Sequence, residues 1–164
     1  MRITILCVGK FKERFWTEAA AEYIKRLSRY CDLKIVEVAD EPTPENASEK
    51  LERQIKDKEG ARLSAWLSRH VQKQGSLTIA LAIKGRRMDS PAFASFIEEA
   101  GAGGISHLVF VIGGSLGLSD QVLSVADRKL SFSDLTFPHQ LMRVILLEQR
   151  YRAFRIINRQ PYHK

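Results

Sequence analysis

Three short segments in the second half of the sequence place glycine, hydroxyl and charged residues directly after apolar runs. They are Lys84-Gly85-Arg86, Ile112–Ser119 with its paired glycines, and Ser133–His139. If the preceding runs are strands of one parallel sheet, the three segments meet at its carboxyl edge, where open α/β sheets bind ligands. Glycine lets a ligand approach the backbone closely, and it equally suits a tight strand-to-helix turn. The pattern favours a ligand crevice but does not name the ligand.

The C-terminal segment has a different chemistry, because its cations alternate with aromatic residues. Residues 139–164 hold five arginines and one lysine against one acid, a net charge of +5. Arginine makes paired contacts with phosphate, and aromatic rings stack on bases. We therefore expect RNA contact rather than an ordinary solvated helix face. The candidate RNA-binding residues are Arg150, Arg152, Arg155, Arg159 and Lys164.

Apolar periodicity predicts the elements that position these segments. The predicted strands cover residues 2–9, 33–38, 77–83 and 108–112, followed by an extended segment over 130–137. The predicted helices cover residues 13–28, 47–73 with a break near Gly60, 90–100 with Ser90 as cap, 119–126 and 138–156. Strands that alternate with helices indicate an α/β fold, a parallel sheet with helices on both faces, in a single domain spanning residues 1–164.

Composition limits the class of protein and of partner. The chain has 164 residues, 45% of them hydrophobic, which suits one domain with its own core. A net charge of +7 favours a polyanionic partner. We expect a soluble cytoplasmic protein, because the longest apolar run, residues 77–83, is too short for a membrane and no leader pattern is visible. Cys7 and Cys31 are expected to be reduced thiols in or near the core, and no metal is expected from the spacing of the four histidines.

Two other enzyme classes fit only part of the pattern. Gly113, Gly114 and Gly117, with Asp134 about 20 residues on, resemble a dinucleotide-binding fingerprint. However, the order is Gly-Gly-x-x-Gly, it follows the fourth predicted strand, and too little chain remains for a complete dinucleotide-binding half. A serine hydrolase would need a Gly-x-Ser-x-Gly elbow; residues 113–117 match its letters, but we do not interpret this turn as one. A dinucleotide-dependent oxidoreductase stays a minor alternative.

Four ordered motifs resemble one known family. They are Ile112-Gly-Gly-Ser-Leu-Gly-Leu-Ser119, Leu135–Arg143, Glu148–Ala153 and the terminal Asn158-Arg-Gln-Pro-Tyr-His-Lys164. Together they closely resemble the RlmH family of SPOUT methyltransferases. The resemblance covers essentially the whole chain and is densest in the last third. At three positions the chain differs from residues found in relatives. Ala82 stands where some relatives have an acid, Arg86 where lysine is common, and Arg150 where an aliphatic residue is frequent.

The resemblance implies a fold, an activity and a cofactor site. The fold would be a SPOUT-type sheet with a C-terminal trefoil knot, the knot and cofactor region covering about residues 76–164, in a homodimer. The activity would be methyl transfer from S-adenosyl-L-methionine to N3 of a pseudouridine in 23S ribosomal RNA of the assembled ribosome. The cofactor-binding residues would be Leu81, Gly113, Phe132, Ser133, Asp134, Leu135, Thr136 and Phe137.

N3 of pseudouridine is only weakly acidic, so a base or a group that stabilises the anion would assist the reaction. The candidate catalytic residues are His163, Tyr162, Arg143 and His139. We expect Tyr162, His163 and Lys164 to handle the substrate, and His139 with Arg143 to shape the site. His139 has a purely structural alternative, because it follows a proline at a helix start. Which of these groups moves the proton stays open.

Two further expectations concern partners. The last predicted helix has a wide apolar face, suited either to a two-fold dimer interface or to packing on its own sheet, formed by Leu141, Val144, Ile145 and Leu147. A non-catalytic ribosome assembly factor that binds ribosomal RNA is the alternative function. Such a factor would share the basic C-terminal segment but would have no need for a pocket at Gly113.

Overall fold

The structure, a computed structural model, describes residues 1–72 and 74–164. The strands are β1 (Arg2–Val8), β2 (Asp32–Val38), β3 (Ser76–Arg87), β4 (His107–Ile112) and β5 (Arg128–Ser131). The helices are α1 (Arg14–Leu27), α2 (Glu49–His70), α3 (Ser90–Ala102), α4 (Asp120–Val125) and α5 (His139–Ile157). The predicted alternation of strands and helices is confirmed. Residue 73, the predicted end of the second helix, lies outside the described residues.

The strands form one parallel sheet in the order β2-β1-β4-β3-β5. β4 is buried along its whole length, and β1 is buried from Ile3 onward. Central strands of a parallel sheet are covered on both faces, so their sequences are continuous apolar runs instead of alternating ones. This burial explains why both strands were predictable from the sequence.

Helices cover both faces of the sheet, as predicted. On one face α1, α3 and α5 pack against the strands through residues such as Ala20, Phe93 and Leu146. On the other face α2 and α4 pack through Leu63 and Val122. α5 contacts both α1 and α3. It is therefore the middle helix of its layer.

β3 is longer than predicted and includes much of the segment that was expected to be a loop at residues 84–89. Leu81 and Arg86 both pair with Leu130, so the residues between them form an irregularity in the ladder. A Cβ atom on Gly85 would lie 2.5 Å from the carbonyl carbon of Leu130. Glycine is needed there because the backbones of β3 and β5 approach each other more closely than a side chain allows.

Three other boundaries differ from the prediction. α2 runs through Gly60 without a break, because Gly60 packs tightly against Ser119 and allows this close approach of two elements. α3 is capped by Asp89 rather than Ser90; the Asp89 carboxylate accepts a hydrogen bond from a first-turn N–H at 2.7 Å. β5 ends at Ser131, so most of the segment predicted to be extended up to residue 137 is a loop.

The cysteines are free thiols in apolar surroundings. Cys7 is fully buried, and burial raises the pKa of its thiol to about 12. Cys31 is half-buried, and burial raises its pKa as well. Both groups are thus poor nucleophiles in the folded protein. Separately, none of the helices within residues 1–72 and 74–164 has the length and apolar character needed to cross a membrane.

Candidate active site

A crevice of about 500 Å³ opens at the carboxyl edge of the sheet. The connections after β3 and β4 leave for opposite faces, since α3 lies on one face and α4 on the other. Neighbouring strands that diverge in this way create the ligand crevice of open α/β folds. Its walls are the irregular part of β3, the turn after β4 and the loop after β5, at residues 81–84, 112–118 and 130–137 without Asp134. The three segments singled out in the sequence do meet at this edge.

The turn after β4 is closed so tightly that it excludes a side chain. A Cβ atom on Gly113 would lie 2.5 Å from the carbonyl carbon of Gly117. The N–H of Gly117 donates to the carbonyl oxygen of Gly114 at 3.1 Å, and Gly117 has a φ of +83°, a conformation that favours glycine. Backbone atoms therefore form this wall of the crevice.

α2 supports the turn from behind, a feature that the sequence analysis missed. A Cβ atom on Gly60 would lie 2.0 Å from Oγ of Ser119, the residue that caps α4. A Cβ atom on Gly114 would lie 2.7 Å from Oε2 of the buried Glu59. The available signal was a glycine directly after an acid in an otherwise helical pattern, which we interpreted as a break.

The loop after β5 forms the opposite wall and is ordered by Ser133. The Ser131 hydroxyl donates to the carbonyl oxygen of Ser133 at 3.1 Å, and the Leu135 N–H donates to the Ser133 hydroxyl at 3.0 Å. The Leu135 side chain is 70% exposed although it lines the crevice. Seven of the eight predicted cofactor-binding residues line the crevice. Asp134 does not, because its carboxylate turns outward into an ion pair with Arg87.

His139, the first residue of α5, lines the same crevice. Burial lowers the pKa of its imidazole, and the nearby charges of Arg143 and Lys12 lower it further. Asp40 opposes this effect. The ring is therefore neutral near pH 7 and has one nitrogen able to accept a hydrogen bond or a proton.

Arg143, a candidate catalytic residue that was expected to shape the site with His139, is fully buried beneath that residue. Its guanidinium donates to the carbonyl oxygens of Val8 and Gly9 and, at 3.2 Å, to the Glu37 carboxylate. These carbonyls lie at the carboxyl end of β1. Arg143 thus fixes the start of α5 to the sheet, and its action on the site is positional.

Arg150 is also fully buried, so the predicted RNA contact is wrong for this residue. Its guanidinium carbon lies 4.8 Å from the ring centroid of Phe110, 5.5 Å from that of Phe154 and 5.9 Å from that of Phe93. Its three side-chain nitrogens have no hydrogen-bond partner among the described residues. Because α5 lies between α1 and α3, this position faces the sheet and not the solvent.

The C-terminal tail folds back along α5. The Tyr162 ring packs edge-on against Tyr151, and its hydroxyl donates to Glu148 at 3.1 Å. Burial raises the pKa of Tyr162, so its hydroxyl stays protonated and serves as a donor. His163 lies 3.5 Å from Arg152 and lines a second crevice, which shares Phe132 and Phe137 with the first. The structure therefore brings His139 and His163 to adjoining crevices and not to one.

The remaining candidates for RNA contact are accessible. Arg152 and Arg155 are half-buried, and Arg159 and Lys164 are exposed. Arg152 pairs with Glu148, and Arg155 donates to the carbonyl oxygen of Pro161 at 2.8 Å. Within residues 1–72 and 74–164, no three His, Cys, Asp or Glu side chains are grouped to hold a metal ion.

Comparison with known proteins decides the family. Residues 1–163 match a family model described as a predicted SPOUT methyltransferase. Curated relatives named ribosomal RNA large subunit methyltransferase H are 56% identical in Bifidobacterium adolescentis and 57% identical in Clostridium botulinum, each match covering all of this chain and all of the relative. The chain belongs to the RlmH family of SPOUT methyltransferases. The family prediction made from the four motifs is confirmed.

A solved structure shares the fold of this RlmH-family chain. A probable methylase family protein from Haemophilus influenzae Rd KW20 aligns with a TM-score of 0.52 and 15% identity, over 99% of this chain and 70% of that chain. At this identity the likeness concerns the fold alone. Together with the parallel sheet, it supports the predicted SPOUT-class α/β architecture, while the C-terminal knot stays a prediction.

Proposed function

We propose that this RlmH-family protein methylates N3 of a pseudouridine in 23S ribosomal RNA of the assembled ribosome, with S-adenosylmethionine as methyl donor. The observation that carries the proposal is the crevice after β3 and β4, in a chain related over its full length to large-subunit ribosomal RNA methyltransferases. A methyltransferase needs one site for the donor and an adjoining one for the acceptor. The two adjoining crevices are consistent with that need.

The residues of the first crevice fit the donor. A volume of about 500 Å³ lies in the range of small-molecule sites. Leu81, Leu135 and Phe137 supply apolar wall, and the backbone at Gly113 and Ser133 supplies hydrogen-bonding groups beside it. When bound, S-adenosylmethionine supplies a methyl group on a positively charged sulfur, which is an excellent leaving group. The chain must then align the acceptor and accept its proton.

Two histidines are the proposed proton acceptors, and the tail handles the acceptor base. His139 is neutral near pH 7 because its pKa is lowered, so it can accept a proton without first losing one. His163 lines the second crevice. Tyr162 acts as a donor and a stacking surface, because its raised pKa keeps the hydroxyl protonated. Arg143, beneath His139, holds the start of α5 in place.

RNA is proposed to contact the solvent-accessible cations of the C-terminal region. Arg152, Arg155, Arg159 and Lys164 remain available after Arg150 is removed from the set. Binding through such contacts weakens steeply as salt rises, because phosphate contacts release counterions. A chain of this length gains basic surface by pairing with a second copy.

We propose that the second copy packs on α5. Leu141, Val144 and Ile145 are only half-buried and can form a two-fold interface, whereas Leu147 is fully buried against its own sheet. Sedimentation at micromolar concentration should show a dimer; a pure monomer would exclude this arrangement. The proposal also includes the trefoil knot within residues 76–164 and a cytoplasmic location, the compartment of the ribosome.

Mass spectrometry of 23S ribosomal RNA tests the activity directly. Cells that lack the protein should lose one methyl group on a pseudouridine, and the purified protein with S-adenosylmethionine should restore it. Removal of residues 162–164 should abolish transfer and leave donor affinity nearly intact. Calorimetry separates the alternatives, because a non-catalytic assembly factor would show no heat with the donor and an oxidoreductase would bind NAD instead.

A further inference from the structure

We propose that Glu59 of α2 is a positioning residue for the methyl donor, because its carboxyl group supports the glycine turn from outside the crevice. The inference rests on the proposed function, in which that turn holds S-adenosylmethionine. None of the described residues of α2 lines the crevice, so Glu59 acts only through the turn. The length of the Glu59 side chain, which brings its carboxyl group to Gly114, is more important for this support than its charge.

Glu59 connects two loops at the carboxyl edge of the sheet. Its Oε1 accepts the backbone N–H of Glu41 at 3.0 Å, which fixes the loop after β2. Its Oε2 is buried, has no hydrogen-bond partner among the described residues, and lies where a Cβ atom of Gly114 would be 2.7 Å away. The carboxyl group is therefore wedged between the Glu41 amide and the back of the turn.

Burial of a carboxyl group is costly when one of its oxygens has no hydrogen-bond partner. Glu59 is 4% exposed. Burial raises its pKa; Asp40 and the carboxylate of Glu41 act in the same direction, while the Glu41 N–H and Arg62 oppose them. The surroundings thus disfavour the charge of Glu59, and an amide of the same shape keeps the oxygen acceptor without that charge.

The neighbouring residue makes a second contact with the same loop. Gly60 lies against Ser119, which caps α4 at the far end of the turn. One helical turn of α2 therefore supports the turn after β4 at both of its ends, at Gly114 and at Ser119. A shift of this helical segment would move the donor wall as a unit.

Donor affinity of single variants, measured by calorimetry with S-adenosylmethionine on the full chain, tests the proposal. Glu59→Ala and Glu59→Asp should each raise the Kd of the donor by about 10- to 100-fold, the size of loss known from metal sites when a residue that orients the ligand-binding groups from outside is removed. Glu59→Gln should stay within about 2-fold of wild type, since it keeps both length and shape. With saturating donor, kcat of all three should change by less than about 2-fold, the pattern of lost uniform binding.

A substitution on the other side of the contact, Gly114→Ala, keeps Glu59 and keeps the test valid if Glu59→Ala is poorly folded. Gly114→Ala should weaken donor binding, because its new Cβ meets Oε2 of Glu59. When Gly114→Ala is combined with Glu59→Ala, that contact is absent. The donor Kd of the double variant should therefore equal that of Glu59→Ala alone, and its fold-increase should not be the product of the two single increases. A multiplicative loss would overturn the proposal.

A matched control separates positioning from general stability. Leu67 is buried in the same helix, two turns from Glu59, and packs on the sheet away from the turn. Leu67→Ala should lower stability and leave donor Kd unchanged. If Glu59→Ala binds donor as well as wild type, the inference fails and the methyltransferase proposal stands. If wild type itself shows no donor binding, the proposed function fails.

Discussion

Arg150→Met should stabilise the protein, although it removes a positive charge from its most basic segment. Arg150 is fully buried against Phe93, Phe110 and Phe154, and its guanidinium has no hydrogen-bond partner among the described residues. Methionine replaces the side chain as far as Nε with an unbranched apolar chain and leaves the space of the guanidinium head unfilled. The substitution therefore removes the charge and the unpaired donors and keeps the packing of the stem only.

The magnitude follows from opposing effects. Burial lowers the pKa of Arg150 to about 9, and one pKa unit corresponds to about 1.4 kcal/mol, so burying the charge costs about 5 kcal/mol. At pH 7 the group is still protonated, so the folded protein bears this cost. The three aromatic rings together offset about 2 kcal/mol of it, and the space left by the guanidinium head costs the variant about 1–2 kcal/mol more. We expect a net gain of about 1–2 kcal/mol, within the range seen when buried charges are replaced by apolar residues.

Urea unfolding at fixed protein concentration measures the gain, and Arg155→Met is the matched surface control. Arg155 lies half-buried on the same helix and donates to the carbonyl oxygen of Pro161, so its substitution should lower stability slightly and weaken RNA binding. Arg150→Met should leave RNA affinity and its salt dependence unchanged. A destabilised Arg150→Met, or one with a smaller salt slope, would refute the reasoning and restore a functional role to the buried guanidinium.

Three other predictions follow from single contacts. Gly60→Ala should destabilise the folded protein by about 1–3 kcal/mol, because the new Cβ would lie 2.0 Å from Oγ of Ser119. The control Gly101→Ala should be neutral or stabilising, because its Cβ meets only the flexible end of Met1 at 3.0 Å. Thermal unfolding measures both. Burial lowers the pKa of His107, so the folded state resists protonation of this residue. The free energy of unfolding should therefore fall as the pH drops below about 6.5 and level off below the pKa of the folded state. A His107→Gln variant should show a smaller fall when urea titrations at about pH 7.5 and about pH 5 are compared. Cys7, whose pKa is about 12, should resist alkylation at pH 8 until the protein unfolds, as mass spectrometry of the labelled peptide would show.

The sheet and the crevice were predictable because both depend on strong local patterns. β1 and β4 are continuous apolar runs that end in glycine, and buried parallel strands require such runs. The position of the crevice then followed from the rule that ligands bind at the carboxyl ends of the strands. In contrast, the extension of β3 past Gly85 depends on the close approach of β5, a contact that no local pattern contains.

The buried arginines were mispredicted because residue type was given more weight than helical position. Arg143, Leu147, Arg150 and Phe154 follow one another at spacings of four, three and four, so they share one face of α5. Leu147 and Phe154 are core residues, and this face packs on the sheet. The periodicity was present in the sequence and would have placed both arginines inside.

The two arginines on this face have different physical roles, which determines how much of the basic segment can serve a polyanion. The charge of Arg143 is compensated by the carbonyl oxygens at the end of β1 and by Glu37. These contacts hold the first turns of α5, and with them His139, against the sheet. Arg150, two turns further on, has only aromatic faces. Four cations remain at the surface of the C-terminal region, at Arg152, Arg155, Arg159 and Lys164. At a slope of about 0.7–0.9 per phosphate contact, one subunit then contributes at most about 3–4 to the salt dependence of RNA binding from this region, less than its six cations suggest.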